Sequence, residues 1–146
     1  MKYLMITLLV ALWVWSVGVM PVEASIFHMA GDRPANLGVT NGQLAACPAT
    51  PNCVSSQSAD PAHQIAPLVG DLAAIKAIVA ALPGSEIITD KANYLYAEFT
   101  SNLMGFVDDV EFAVVGERIE VRSASRLGES DLGVNAKRVE AIRGLL

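Results

Sequence analysis

The stretch GFVDDVEFAVVGERIEVRSASRLGESDL, residues 105–132, decides the fold of this chain. Val107 to Val115 and Arg118 to Ser125 are both rich in β-branched residues with period-two alternation, and only Gly116-Glu117 separates them. This pattern predicts two antiparallel strands joined by a type II′ turn with glycine in its first central position. A two-residue bend also fixes every cross-strand pair along the ladder, because a slip of one residue would turn each side chain to the other face.

The predicted register gives the hairpin one apolar face and one charged face. The apolar pairs are Val114 with Ile119, Phe112 with Val121 and Val110 with Ser123. The charged face pairs Glu111 with Arg122 and Ala113 with Glu120, and it sets Asp109 diagonal to Arg122 and near Arg126. The apolar face must be buried, whereas the charged face is self-complementary, and we expect ion pairs among Asp109, Glu111 and Arg122.

Asp108 lies at the open end of the apolar face, opposite Ser125 and next to Ser123. A carboxylate at the rim of a core needs partners, since burying it unpaired costs free energy. The candidate partners are the two serine hydroxyls, the backbone amides of residues 126–128, or an arginine. The sequence therefore predicts a polar site at this rim.

The first residues predict a targeting segment. Met1-Lys2 is positively charged, Tyr3 to Met20 is apolar and uncharged, and small residues precede Ser25, so we expect a signal peptide over residues 1–24. The alternative is an uncleaved anchor, because this apolar run approaches the length that spans a bilayer. We expect an extended segment over residues 25–37 and a single α+β domain over residues 38–146.

Cys47 and Cys53 are the two cysteines of the chain and lie in CPATPNC. In an exported protein the default for such a pair is a disulfide. The alternatives are a redox-active pair or a metal site, but the spacing is not that of CxxC, and His28 and His63 stand in no ligand-like cluster. We therefore expect no metal and no cofactor.

The remaining elements are two amphipathic helices and two further strands. Leu68 to Leu82 carries an apolar stripe of helical period that Pro83-Gly84 ends, and Glu86 to Thr89 and Tyr94 to Ser101 read as strands. The last helix has its predicted buried stripe at Ala136, Val139, Ile142 and Leu146, and its predicted exposed side at Lys137, Arg138, Glu140 and Arg143. Ser130 or Asp131 can cap it, near Asn135.

These elements predict an α+β fold with about four antiparallel strands and both helices on one face of the sheet. The other face would be wet, covered by the N-terminal segment, or covered by an apolar partner. The net charge is −5, and no basic cluster with interleaved aromatics occurs, so nucleic-acid binding is disfavoured. A membrane contact is expected only if the targeting segment is kept as an anchor.

Several blocks of the sequence resemble the domain of unknown function 1499 family of bacterial and plastid proteins. The blocks are CPATPNCVSS, Ile65-Ala66-Pro67-Leu68, GFVDDVEF, VRSASRLGESDLGVN and KRVEAIR, and the resemblance covers residues 38–146. One departure is Ala136, where the family commonly has arginine. The resemblance implies an exported or membrane-associated domain, in the periplasm, the thylakoid lumen or outside the cell, and it transfers no activity. It marks as motif positions Asp108, Asp109, Glu111, Arg122, Ser123, Ser125, Arg126, Ser130, Asp131 and Asn135.

Three functions remain open for these residues. The first is a non-catalytic domain that binds a small polar or anionic ligand, or a protein partner, through Asp108, Arg122, Ser123, Ser125, Arg126, Ser130, Asp131 and Asn135. The second is an enzyme that uses Asp108 as general acid or base and Arg126 to stabilise negative charge. The third is a structural lattice of ion pairs that joins the hairpin to the last helix.

Overall fold

The fold is an antiparallel sheet with two helices on one face, seen in a computed structural model that describes residues 27–146. In chain order the elements are β1 Cys53–Ser55, α1 Leu72–Ala81, β2 Ser85–Lys91, β3 Tyr94–Thr100, β4 Val107–Val115, β5 Arg118–Ser125 and α2 Val134–Arg143. The strand order is β1-β5-β4-β3-β2. This confirms the predicted α+β class, with the short β1 as an additional strand. The predicted signal peptide lies outside the described residues.

The central hairpin has the register that the sequence predicts. Val115 is paired with Arg118, and the ladder continues without a slip to Asp108 opposite Ser125. Gly116 has φ +63°, while Glu117 is outside the left-handed region, which is the sign pattern of a type II′ turn. The tight turn and the burial of one face therefore fix the same pairing.

The core lies between the sheet and the helices. Phe112, Val110 and Leu95 from the sheet are fully buried against Ile75 of α1 and Ile142 of α2, among other apolar residues. Burying side chains of this size contributes about 1.5–3 kcal/mol each. Within residues 27–146, neither helix has the length and apolar content that a bilayer-spanning segment needs.

The first helix begins later than predicted. The apolar stripe suggested a start at Leu68, but α1 begins at Leu72, with Asp71 as N-cap accepting from the Ala73 amide. Leu68 instead exchanges two backbone hydrogen bonds with Ile119, at 2.9 and 3.0 Å. Gly70, with φ +148°, separates the two conformations. The strand-like contact of Leu68 therefore replaces the first predicted helical turn.

The last helix is rotated relative to its predicted stripe. Its buried side consists of Asn135, Val139 and Ile142, whereas Leu146 is exposed. Arg138, predicted to be exposed, is largely buried. The apolar pattern misplaced the buried side because the first buried residue of the helix, Asn135, is polar.

Arg143 also differs from its predicted exposed position. Its guanidinium donates to the carbonyls of Ala66 and Pro67, at 2.6 and 2.7 Å. These two hydrogen bonds join the last helix to the segment that leads into α1.

The second hairpin is also tighter than predicted, because β2 runs through Lys91 and the turn is only Ala92-Asn93.

The face of the sheet away from the helices is covered by the chain itself. We call residues 33–52 the N-terminal wrap. Its Gly38 amide donates to Glu111 at 2.7 Å, its Leu44 is buried, and Cys47 is disulfide-bonded to Cys53 in β1. The predicted disulfide is confirmed, and of the three alternatives for this face the structure has the covered one.

Candidate functional site

The motif residues lie in two groups on opposite faces of the sheet. Asp108, Ser123 and Ser125 face the helices, while Arg122 lies opposite Glu111 under the N-terminal wrap. Neighbouring residues of a strand point to opposite faces, so the serines and the arginines of the same strand cannot hold one ligand together. The single binding set expected from the sequence is therefore divided.

The helix-side group is centred on an ion pair between Asp108 and Arg138. Arg138 Nη2 donates to Asp108 Oδ2 at 2.6 Å. Arg138 Nη1 donates to Asn135 Oδ1 at 2.7 Å and to the Ser123 hydroxyl at 3.1 Å. The guanidinium carbon also lies 4.7 Å from the centroid of the Phe99 ring, within cation–π range. The partner that the sequence required for Asp108 is thus an arginine of α2.

Asn135 is the buried hub of the same group. It accepts from the Ser123 hydroxyl at 2.6 Å, and its Nδ2 lies 3.0 Å from the Ser125 hydroxyl and 2.9 Å from Asp131. The same Nδ2 lies 3.2 Å from the backbone carbonyl of Asn52, beside β1. Because the oxygen and the nitrogen of the Asn135 side-chain amide are both hydrogen-bonded within the protein, Asn135 joins the strands to the helix and is not available to a ligand.

Asp131 occupies the amides at the start of α2. Its carboxylate accepts from the backbone amides of Gly133 at 3.0 Å and Asn135 at 2.8 Å. Burial acts to raise the pKa of Asp131, but these hydrogen bonds outweigh it and hold the pKa below its ordinary value. Ser130 is exposed and, among residues 27–146, its hydroxyl accepts from the Leu132 amide alone, at 3.3 Å. The anion site that free amides would have offered is filled by the chain.

The second group is centred on Arg126. It lies at the same end of the sheet as Asp108, but on the face that the wrap covers. Its Nε lies 3.1 and 3.0 Å from the two oxygens of Asp109, and its Nη2 donates to Asp109, to Glu98 and to the Tyr96 hydroxyl. Arg33 of the wrap donates to the same Glu98 at 2.6 Å. The expected proximity of Asp109 and Arg126 is confirmed.

The shared hydrogen bonds shift the pKa values of this second group. The hydrogen bond with Asp109 raises the pKa of Arg126 above its ordinary value. Burial, then the hydrogen bonds to Asp109 and Glu98, raise the pKa of Tyr96. Burial alone would raise the pKa of Glu98, but donation from Arg33, Tyr96 and Arg126 lowers it. All three groups are therefore stabilised in their ordinary charge states at neutral pH.

Glu111 and Arg122 form the predicted ion pair, but its hydrogen bonding is incomplete. Arg122 Nη1 lies 3.5 Å from Glu111 Oε2, and both side chains are buried. Glu111 Oε1 accepts from the Tyr94 hydroxyl and the Gly38 amide, each at 2.7 Å. Glu111 Oε2 and the Nε and Nη1 of Arg122 have no hydrogen-bond partner in the part of the chain described. The pair is a charge contact sealed under the wrap.

A groove of about 330 Å³ adjoins the Asp108–Arg138 pair. Apart from the pair it is lined by Leu82, Pro83, Phe99, Thr100, Ser101, Phe106, Val134 and Ala141. It lies at the end of the sheet, between α2 and the loop that joins β3 to β4. The bond from Arg138 goes to Asp108 Oδ2, and Asp108 Oδ1 accepts no hydrogen bond from residues 27–146. The groove thus combines apolar walls with one acceptor that the fold leaves unused.

A second cavity, near the disulfide, contains His63. This cavity of about 370 Å³ is lined by the wrap and by residues 55–63. His63 is buried, and its Nδ1 lies 2.9 Å from the Cys53 carbonyl oxygen. Within residues 27–146 no three side chains of metal-binding type come together.

Several contributors to these groups were missed in the sequence, among them Arg138, Asn52 and Arg33. Arg138 could have been found, because it lies three residues after Asn135 and so shares its helix side. Asn52 follows Pro51 in the disulfide loop, where nothing local indicates that its carbonyl meets Asn135. Arg33 lies 65 residues from its partner Glu98 and has no local signal either.

The sequence matches the family described as protein of unknown function (DUF1499) over residues 43–146. No curated protein and no solved structure matches the chain significantly. The matched segment contains every residue that lines the groove and both hydrogen-bonded groups, apart from Arg33 of the wrap.

Proposed function

Because the chain belongs to the DUF1499 family of proteins of unknown function, we propose from the site alone that it is an exported, non-catalytic binding domain. Its ligand lies in the groove beside Asp108 and Arg138. The confirmed disulfide supports export, since disulfides persist in oxidising compartments such as the periplasm, the thylakoid lumen or the cell exterior.

The unused oxygen of Asp108 carries this proposal. Asp108 lines a concave site whose other walls are mostly apolar, and one polar group in an apolar groove is the combination typical of small-molecule sites. The Arg138 guanidinium, held by Ser123 and Asn135, fixes the carboxylate in place before any ligand arrives. A rigid acceptor in an apolar groove suits a ligand with an apolar body and one hydrogen-bond donor, such as a hydroxyl, amide or amine group.

This ligand class is narrower than the polar or anionic one expected from the sequence. An anion would need a free cation, but Arg138 is neutralised by Asp108, and Arg126 is occupied by Asp109 and Glu98. Arg122 is sealed beside Glu111. The charges around the groove therefore favour a neutral or cationic donor over an anion.

Binding is favoured over catalysis by the composition of the groove. Its lining contains neither histidine nor cysteine. The hydroxyl groups of Ser123 and Ser125 are engaged with Asn135, so neither is hydrogen-bonded to a base that could activate it. Asp108 is the one acidic side chain in this lining, and its ion pair with Arg138 holds it as a fixed acceptor rather than as a free acid or base.

A second candidate function is structural. The observation that favours it is the ion pair of the buried Asp109 with the largely buried Arg126 side chain, packed among Tyr96, Glu98 and the wrap. In that case the charged motif locks the N-terminal wrap onto the sheet, and the protein acts as an assembly component. Both roles can coexist, since the groove and the enclosed ion pairs lie on opposite faces.

Titration with the fluorescent dye N-phenylnaphthylamine, which has an apolar body and one N–H donor, tests the binding proposal. We expect saturable binding to the full chain and about a tenfold weaker affinity for Ala141→Phe, whose added ring would fill the groove from the exposed side of α2. Ala77→Phe is the matched control, because Ala77 is an exposed alanine in α1 that lines none of the three cavities. Equal affinities in the two variants, or no saturable binding, would rule out the groove.

A further inference from the structure

One end of the molecule displays a group of exposed apolar side chains. We call it the end face; it consists of Phe27, Met29, Leu103, Leu127, Leu132 and Val134. Leu132 is 85% exposed. Single exposed apolar residues are ordinary, whereas a cluster of them marks an interaction surface.

The fold brings these six residues to the same end. The loop between β3 and β4 and the loop after β5 lie at the same end of the strands, since Thr100 pairs with Val107 and Asp108 with Ser125. The Phe27 amide donates to the Leu103 carbonyl at 3.3 Å, which attaches the N-terminal residues to the first loop.

Further contacts connect the rest of the end face. The Met29 amide donates to the Met104 carbonyl at 3.2 Å. A side chain added at Gly31 would meet Leu127 at 3.0 Å, so the same segment also passes the second loop. Val134 forms part of the groove, which places the mouth of the groove beside the end face.

The segment before Phe27, which includes the predicted targeting segment and is called the leader below, joins the described structure at this face. Residues 1–26 immediately precede Phe27, and Tyr3 to Met20 contains no charged residue. A second exposed apolar group, which includes Val69, Leu145 and Leu146, lies elsewhere, where a side chain added at Gly70 would meet Leu146. Among the exposed apolar groups of residues 27–146, the end face is the one that contains Phe27, the first residue after the leader.

We propose that the end face seats on a lipid bilayer surface, with Leu103 and Leu132 contacting the interfacial region. The chain carries a net charge of −5, and Asp32 and Glu129 lie within three residues of Met29 and Leu127 in the sequence, so the surface it fits is zwitterionic rather than anionic. Burial of apolar side chains in the interface supplies the affinity. The docking does not depend on whether the groove binds a ligand.

Paramagnetic broadening in solution NMR tests the docking. The full chain, with its leader verified by intact mass, is placed in phosphatidylcholine nanodiscs that carry a gadolinium-chelating lipid. We expect strong broadening of the amide signals of residues 103, 127 and 132, and little at Glu117, in the turn at the other end of the hairpin. Leu103→Asp should remove most of this broadening.

Leu145→Asp is the matched control, because Leu145 is 62% exposed and Leu103 is 60% exposed. It should leave the broadening unchanged. If Leu103→Asp disturbs the fold, Leu132→Asp serves instead, since aspartate tolerates the left-handed backbone of Leu132 at φ +54°. Equal broadening at both ends, unchanged broadening in the end-face variants, or a dimer that Leu103→Asp dissociates without any lipid effect would each overturn the proposal.

Discussion

Replacing Arg126 by alanine should lower the free energy of unfolding by about 3–5 kcal/mol, the range for removing one partner of a buried ion pair. The side chain of Arg126 is 6% exposed and contacts both oxygens of Asp109. Without it, the Asp109 carboxylate, which is 1% exposed, keeps the Tyr96 hydroxyl as its one donor in the described part of the chain. An unneutralised charge would then remain under the wrap.

A thermal melt with matched urea unfolding measures this effect. For a domain of this size the expected loss corresponds to a melting temperature lower by roughly 10–20 °C. Arg33→Ala is the matched control, since Arg33 bonds the same Glu98 but is half exposed, and it should lower the melting temperature far less than Arg126→Ala. If both variants melt within a few degrees of the wild type, the enclosed ion pairs do not stabilise the fold, and the structural role fails.

Two further perturbations test the loop after β5 and the entry to β2. Because the pKa of Asp131 is lowered in the folded state, its contribution to the free energy of unfolding is present above the ordinary aspartate pKa of about 3.9 and is lost as pH falls through the lower folded value. In urea unfolding, Asp131→Asn should therefore cost about 1 kcal/mol at pH 7 and progressively less below pH 4. A cost that does not change with pH would contradict this. Gly84→Ala should destabilise by more than about 1 kcal/mol, because Gly84 has φ +73° and a Cβ there would lie 2.4 Å from the Thr100 carbonyl oxygen; unchanged urea unfolding would show that the strand entry relaxes.

The sequence was sufficient for the hairpin because two local signals agree there. The Gly116-Glu117 turn and the alternation of β4 and β5 each specify the same register, and that register sets Asp108 at the rim of the core. Local periodicity failed where a polar residue is buried, as at Asn135, and where an apolar residue leaves its helix, as at Leu68. Strand order and the three-residue β1 depend on contacts between distant segments, which no local pattern reports.

The sequence predicted which residues belong to the candidate site, but not how they are arranged in space. Alternation alone separates Ser123 from Arg122, and applying it consistently would have divided the expected binding set. The position of Arg138 follows from helix rotation, which only tertiary packing fixes. The covering of Glu111 depends on Gly38, 73 residues earlier in the chain.

Native mass spectrometry of the full chain isolated from its own source tests the binding function most directly. We predict that the wild-type protein retains a small additional mass, and that Ala141→Phe produced in the same source loses it. Ala77→Phe should retain it. A wild-type protein that carries only its own mass, or an additional mass that Ala141→Phe retains in full, would contradict a ligand in the groove beside Asp108 and Arg138.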